Sequence, residues 1–566
     1  MSQTDDQQRP PTDRGRPPGA ARAGVPLPTP ARVARHGGRV LDPLTASRLP
    51  GEPAPLPTAY RADRLVVAGE HADEARAAIA DAARRLSLAA VEDTRGRSLA
   101  ARRGGRAPRT LTLEPAAVRE LTTRVVAAPD AWEVLQLARS AVRPEVRAAM
   151  GLDHILMGTG PDIGGAPFTS GHGVEGAPFT SGHGVEEYGR AGSGGRQPVS
   201  WLGAPPVRRP AADLPGRRPV VAVVDTGCGE HPWLADVERD LALPDGTAAG
   251  LPGPTPEESG DVVGPLDGEL DSHAGHGTFI CGILRQLCPD ADLVAVPVMA
   301  GDGVVLESDL LHALAVITEL VELDRAGATG GVPVDVVVLS LGYHHEVPED
   351  ATFDTPLLEA LRGLGRLGVA VVAAAGNGAT TDPLYPAAFA PHDGGPVQPD
   401  GCVPVTSVAA TNPDGSVALF ANAGAWVSCW HPGAALVSTM PVTFQGGRQP
   451  RVSYAGPGGH RRATLDPDDF GSGFAVWSGT SFAAPVMAGL LAARLLDGTS
   501  TGAAGEDATG EEGASGAGAT DEAGSTPVSL LAAAGTPGDP VARMAALVGE
   551  LVAAYATPGR KAEVGS

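Results

Sequence analysis

Short runs in which every residue is apolar alternate with longer stretches of helical periodicity between about residue 217 and residue 496. The strand-like runs include PVVAVVD, VDVVVLSLG and VAVVAAAGN, and the helical stretches include LLHALAVITELVELDR and SFAAPVMAGLLAARLL. Strands that are apolar on both faces and are separated by helices predict a mostly parallel sheet with helices on both sides. We therefore predict a doubly wound α/β domain, whose functional residues gather at the carboxyl ends of the strands.

The remainder of the 566 residues divides by composition, since a chain of this length exceeds what a single core requires. A second, smaller α/β domain begins near RLVVAG and ends near HILMG. The predicted segments are a disordered Pro/Arg-rich stretch (1–58), the small α/β domain (59–158), a Gly-rich linker (159–214), the doubly wound domain (215–498), a low-complexity linker (499–527) and a C-terminal helical segment with a tail (528–566).

The Gly-rich linker contains a tandem duplication, because GAPFTSGHGVE at residues 165–175 recurs unchanged at residues 176–186. Two copies are too few for a solenoid, which needs at least three stacked units. His172 and His183 are flanked by glycine and have no cluster of other ligands around them. We interpret them as solvated side chains, not as a metal site.

Charge and lysine content exclude several functional classes. The net charge is −23, with 66 acidic residues against 43 basic ones, which argues against a nucleic-acid partner. Lys561, near the end of the chain, is the only lysine. A phosphate-binding loop, a Schiff-base enzyme and a Ser-Lys dyad each need an ordered lysine, so none of them is expected.

Cysteine content and hydropathy indicate in which cellular compartment the protein is expected. The five cysteines form no CxxC pair, and an odd, sparse set is typical of buried free thiols. The N-terminus lacks the apolar segment of a signal peptide. The best membrane-span candidate, Met544–Ala556, is short and contains Glu550. We therefore expect no membrane span and favour a cytoplasmic protein over a secreted one.

Two residues that follow or begin predicted elements could supply a carboxylate and an imidazole. Asp225 ends the run VVAVV and precedes Thr226 and Gly227, at the junction of a buried strand and a turn. A DTG triplet is also typical of aspartic peptidases, but no second triplet is present to pair with it. His276 lies in HAGHGTFICGIL at the start of a helix, and we prefer it to His273 because Gly-Thr follows it directly. The alternatives are a structural turn carboxylate and a histidine tolerated at a helix start.

A hydroxyl and an amide stand at two further junctions. Ser481 lies in SGTSFAAPVMAGLL, where a tight turn of small residues leads into a long apolar helix. A serine there is often only a helix cap, but the same turn offers the Ser481 N–H to a developing negative charge. Asn377 ends VAVVAAAGN and could donate to an oxyanion, although turn asparagines are common.

Taken together, these segments resemble the subtilisin-like serine peptidases over about residues 217–496, in the chain order Asp, His, Ser. The pieces that carry the resemblance are VAVVDTG with Asp225, GHGT with His276, SLG at Ser340–Gly342, AAAGN with Asn377 and GTSFAAPVMAG with Ser481. The less specific segments YPA, FANAG and HPGAALVST also look like the family. The chain departs from many relatives at Phe279 and at Tyr343, which could narrow the specificity pocket.

The resemblance implies a serine endopeptidase that acts on protein or peptide substrates through an acyl-enzyme. Ser481 would be the nucleophile, His276 the general base and Asp225 its orienting carboxylate, with Asn377 as an oxyanion donor. Ser340, Leu341 and Gly342 would pair with the substrate backbone. No cofactor is expected to be required; calcium sites are frequent in the family, but no ligands can be assigned.

Two questions stay open at this point. The small N-terminal domain resembles the inhibitory propeptides of these enzymes only loosely, and a targeting or partner-binding module fits equally. The alternative function is a non-catalytic subtilisin-like scaffold that binds peptides. An α/β-hydrolase esterase is disfavoured because no GxSxG elbow surrounds Ser481. The sequence indicates neither the oligomeric state nor the specificity.

Overall fold

The computed structural model describes residues 27–103, 107–116, 128–158, 196–264, 266–347, 355–502 and 539–558. The tandem duplication and most of the predicted low-complexity linker lie outside these ranges. The described residues form a small N-terminal domain and a larger α/β domain, and the two share strands at one sheet edge.

The N-terminal domain is an antiparallel sheet in the order β5-β2-β4-β3, with two packed helices, α2 and α4, burying Ile79 and Leu135. Its elements are α1 Pro30–Arg35, β1 Gly38–Val40, β2 Ala59–Val67, α2 Ala72–Arg85, β3 Leu88–Glu92, α3 Thr94–Arg102, β4 Arg109–Pro115, α4 Ala131–Ser140, α5 Pro144–Arg147 and β5 Met150–Gly158.

Residues 27–58 correct the prediction that the whole stretch 1–58 lacks structure. The side chain of Thr29 caps α1 by accepting from the Arg32 N–H, and β1 pairs antiparallel with β2. Arg35 and His36 both contact the Asp302 carboxylate of the larger domain, at 2.9 and 3.0 Å. These elements show no apolar periodicity because only single apolar side chains, such as Val33 and Leu41, are buried, and the other contacts are strand pairing and ion pairs.

The larger domain contains the remaining elements. They are β6 Gln197–Pro198, β7 Val220–Asp225, α6 Pro256–Ser259, α7 His276–Leu287, β8 Asp292–Pro297, β9 Val304–Leu306, α8 Glu307–Arg325, β10 Val334–Leu339, β11 Leu341–Gly342, α9 Thr355–Arg366, β12 Ala370–Ala374, β13 Thr406–Thr411, β14 Cys429–Pro432, β15 Leu436–Thr439, β16 Ser453–Ala455, β17 Arg461–Ala463, β18 Phe474–Trp477, α10 Thr480–Gly502 and α11 Pro540–Ala554.

Six strands form a parallel sheet in the order β14-β13-β12-β10-β7-β8, which confirms the predicted fold class. Alternate residues of a strand point to opposite faces, so a strand covered on both sides is apolar throughout. In β7, Val221 and Val223 pack in one core with α7 and α10, whereas Ala222 and Val224 pack in the other with α8 and α9.

Two segments predicted to lie outside the doubly wound domain pack on it. β6, from the predicted linker, pairs antiparallel with β18. The C-terminal helix α11 buries Met544, Val548 and Leu551 in the same core as α10. The Trp430 N–H donates to the Tyr555 carbonyl at 3.0 Å, which extends this attachment beyond the helix.

The helix α10 is long and apolar enough to cross a membrane by length and composition, over Thr480–Asp497. The sequence prediction overlooked this window. Since 72% of it is buried within the protein, we assign it as the central core helix of the sheet.

The two domains meet along β5. This strand pairs antiparallel with β9, with Leu156 opposite Val305, and with β11, with Leu341 opposite Gly158 and Gly342 opposite Met157. Every residue of β5 is buried. The N-terminal sheet therefore continues into the larger domain at the carboxyl ends of its parallel strands.

Candidate active site

Asp225 and His276 form a buried pair. The Nδ1 atom of His276 lies 2.7 Å from Oδ1 of Asp225, and both side chains are almost fully buried. The same Asp225 oxygen accepts from the Thr226 N–H at 2.8 Å and lies 3.1 Å from the Thr226 hydroxyl oxygen. The carboxylate is therefore fixed at the end of β7, and it orients the imidazole through Nδ1.

Glycines allow the close approach of these two segments. Gly275, before α7, has φ +88°, a conformation that favours glycine. A Cβ atom on Gly277 would lie 2.1 Å from the Gly227 carbonyl oxygen, so alanine does not fit there. The competing His273 contacts the Ser272 hydroxyl through Nδ1 at 3.0 Å, and burial holds its pKa well below the ordinary range. It lies beside the ring of His276, with 5.5 Å between the ring centroids.

Ser481 is the second residue of α10, at 3% exposure. The Ser340 hydroxyl donates to the Ser481 carbonyl at 2.9 Å. The adjacent Phe482 packs on His276, with ring centroids 5.2 Å apart. The three predicted chemical groups of Asp225, His276 and Ser481 thus lie at one end of the sheet, on β7, α7 and α10.

Asn377 follows β12 and is bonded to the start of α10. Its Oδ1 atom accepts from the Thr480 N–H at 2.8 Å and from the Thr480 hydroxyl at 2.9 Å. Because the oxygen is bonded on that side, the NH₂ group is oriented as a donor beside Gly479. Asn422 supports this loop by accepting from the Gly378 N–H at 2.9 Å. Sequence reasoning missed Thr480 and Asn422 as supports.

The predicted substrate-binding residues divide into two roles. Leu341 and Gly342 form β11 and pair with β5, so a strand of the N-terminal domain lies where substrate was expected to pair. Ser340 instead directs its hydroxyl to the Ser481 carbonyl. The Tyr343 ring stacks on His154 of β5, with centroids 4.4 Å apart.

A buried carboxylate that the sequence did not indicate lies beneath the Asp225–His276 pair. Glu257, on the short helix α6, accepts from the Gly275 N–H at 3.0 Å and from the hydroxyls of Thr226 and Thr278. Burial raises its pKa to about 7, although the two hydroxyl donors act in the opposite direction. The stretch PTPEES has no periodicity that would distinguish Glu257 from its exposed neighbour Glu258.

A second polar cluster lies where β5 meets the larger domain. His154 contacts Glu307 through Nδ1 at 2.5 Å and Glu346 through Nε2 at 2.8 Å. With His345, these buried groups have the donor types of a metal site, His154, His345 and Glu346 lying within reach of one ion. However, the Val347 N–H donates to Nδ1 of His345, which puts the His345 proton on Nε2. These contacts favour a charged His154 between the carboxylates of Glu307 and Glu346 over a metal site.

All five cysteines are free thiols, and four of the five are buried. The calcium sites that the resemblance suggested remain a prediction without assigned ligands.

Comparison with known proteins identifies the family. A family model described as the subtilase family matches residues 216–499. Subtilisin BL from Lederbergia lenta is 30% identical over 257 residues, which are 43% of this chain and 76% of that protein.

Solved structures are also similar in part. Fervidolysin from Fervidobacterium pennivorans, a keratinolytic enzyme related to subtilisin, is 18% identical with a TM-score of 0.41, covering 80% of this chain and 56% of its own. A lanthipeptide protease is 18% identical with a TM-score of 0.33, covering 51% of this chain and 76% of its own. From the family match and the curated relative, the chain belongs to the subtilase family and is a serine peptidase.

Proposed function

We propose that the protein is an endopeptidase that cleaves peptide bonds through an Asp225–His276–Ser481 triad and an acyl-enzyme intermediate. The observation that carries this proposal is the 2.7 Å contact between His276 and Asp225 at the carboxyl end of the sheet, beside the helix start that holds Ser481. Ser481 attacks the scissile carbonyl and transfers its proton to His276, which then protonates the leaving amine. Asp225 holds the imidazole tautomer and stabilises the imidazolium that forms.

The developing oxyanion has two candidate donors. The NH₂ group of Asn377 and the Ser481 N–H at the start of α10 both lie at this end of the sheet. Donors of this kind stabilise the transition state by roughly 3 to 4 kcal/mol each. Water then releases the acyl group by the reverse sequence of proton transfers.

The substrate would bind as an added strand along β11. The pairing of β5 with Leu341 and Gly342 supports this mode, because it places an extended chain on that edge in antiparallel register. A second strand, β9, lines the other side of the same chain. A cleft that accepts an extended strand between two others suits internal peptide bonds of an unfolded segment.

The N-terminal domain would act as an inhibitory prodomain, since β5 covers the cleft. The N-terminal domain is attached to the larger domain by ion pairs and hydrogen bonds as well as by strand pairing. Arg95 pairs with Asp309 at 2.7 Å, and Asp153 accepts from the Ser308 N–H at 2.9 Å at the start of α8. β5 ends at Gly158 in contact with His273, which lies beside His276.

A fluorophosphonate probe tests the nucleophile. The wild-type protein is expected to be labelled and Ser481→Ala to be unlabelled. Ser478→Ala is a matched control, because Ser478 is a buried serine of the same turn that accepts from the Ala435 N–H. This control should label like the wild type. Equal labelling of the wild type and Ser481→Ala would eliminate Ser481 as the nucleophile.

A further inference from the structure

Glu257 is a fully engaged buried carboxylate that the proposed triad does not use. Its side chain is 1% exposed and comes from the four-residue helix α6. One oxygen accepts from the Gly275 N–H and the Thr226 hydroxyl, and the other accepts from the Thr278 hydroxyl. Burial of a carboxylate costs free energy unless hydrogen bonds compensate for the lost water. The three donors to Glu257 provide this compensation, and in doing so they are fixed in position themselves.

The three donors lie next to Asp225 and His276 in the chain, the two residues whose contact must be kept. Thr226 follows Asp225, while Gly275 precedes His276 and Thr278 lies two residues after it. The Thr226 hydroxyl also accepts from the Gly277 N–H at 2.8 Å. Thr226 and Glu257 together therefore bridge the end of β7 to the first turn of α7, on either side of the Asp225–His276 contact.

The charge of Glu257 also lies at the N-terminus of α7, where a carboxylate is favourable. Its neighbours with charge or titratable groups, among the described residues, are Asp225, His276, Arg196 and the Cys281 thiol. The hydrogen bond from the Gly275 N–H to Glu257 therefore anchors the first turn of α7, which carries His276.

We propose that Glu257 is a positioning residue for the peptidase reaction, which holds the start of the His276 helix against Asp225 while His276 accepts and returns the proton of Ser481. This inference rests on the proposed triad. It assigns to α6, a short helix outside the sheet, a function in the rate of the chemical step.

The experiment compares Glu257→Gln with Glu258→Gln in the full chain, with rates expressed per active site titrated by the fluorophosphonate probe. Glu258 is the exposed neighbour on the same helix, so its variant removes the same charge from the surface. For Glu257→Gln we expect kcat to fall by about tenfold to a hundredfold with KM within about twofold, since misplaced catalytic groups reduce the rate and not binding. Glu258→Gln should change none of these values.

A purely structural role would lower the melting temperature and the number of titrated sites but leave kcat per site unchanged, and that outcome would overturn the proposal. An unchanged kcat would overturn it as well. If Glu257→Gln does not fold, Glu257→Asp replaces it, because aspartate keeps the carboxylate but shortens its reach. Its kcat should also fall, and a wild-type kcat would contradict the proposal. Failure of the triad itself is recognised separately, by Ser481→Ala that still labels.

Discussion

Asn377 shows how hydrogen bonds at one end of a side chain fix the direction of the other end, here the NH₂ group that we propose as an oxyanion donor. Its Oδ1 atom accepts both hydrogen bonds from Thr480, and the NH₂ group is the remaining part of the amide. Local sequence identified the residue only as an asparagine in a turn. The bonds to Thr480, more than a hundred residues away, give its amide a defined orientation.

At this scale we predict that Asn377→Ala lowers kcat by about a hundredfold to a thousandfold with little change in KM, because one oxyanion donor acts only in the transition state. Steady-state kinetics on a peptide substrate measure the effect. Thr480→Ala is the control, since it removes one of the two bonds to Asn377 but leaves the N–H bond in place, and its decrease should be less than about tenfold. A kcat for Asn377→Ala near that of Thr480→Ala would argue against an oxyanion role.

At the scale of elements, His154 of β5 links the N-terminal domain to the larger domain by its contacts with Glu307 and Glu346. Burial alone would lower the pKa of His154, but the charges of Glu307 and Glu346 outweigh burial and raise this pKa well above the ordinary range. Tyr343 stacks on the same ring, and His345 lies at 5.3 Å between ring centroids. A histidine whose pKa is raised in the docked form contributes stability below its ordinary value of about 6.5, and this contribution is lost as the pH rises through the raised value.

We therefore predict that docking of β5 weakens at alkaline pH. Hydrogen exchange of the β5 amides in full-length Ser481→Ala, corrected for the intrinsic pH dependence of exchange, measures the effect. Protection should fall as the pH rises above neutral, and His154→Gln should show weaker protection with a flatter pH dependence. Arg95→Gln serves as a control, since it removes an ion pair with Asp309 and leaves the titrating group in place. Equal pH dependence of β5 protection in Ser481→Ala with and without His154→Gln would refute the prediction.

At the scale of the whole molecule, the proposed prodomain has to be removed before substrate can reach the cleft, and the proposed triad could make that cut. We predict that the purified wild-type protein begins within residues 159–214, after β5, while Ser481→Ala keeps its original N-terminus. Mass spectrometry of the intact proteins decides this. The prodomain assignment fails if the protein stays full length while it cleaves peptides at the full rate.

The sequence alone determined the doubly wound sheet, because strands buried on both faces must be apolar at every position and helices must cover them. It also predicted which junctions carry Asp225, His276, Asn377 and Ser481, since each follows or begins a strongly patterned element. It did not predict the structure of residues 27–58, because those elements are held by contacts with Asp302 and β2 and not by a pattern of their own.

Only the tertiary structure decided which distant groups meet. Glu257 lies in a stretch without periodicity, and its importance comes from three donors that the fold brings to it. The pairing of β5 with β11 likewise depends on two segments more than 180 residues apart in the chain. Patterns report how a segment is buried, whereas the partner of a buried polar group is fixed by packing between segments, which no local pattern encodes.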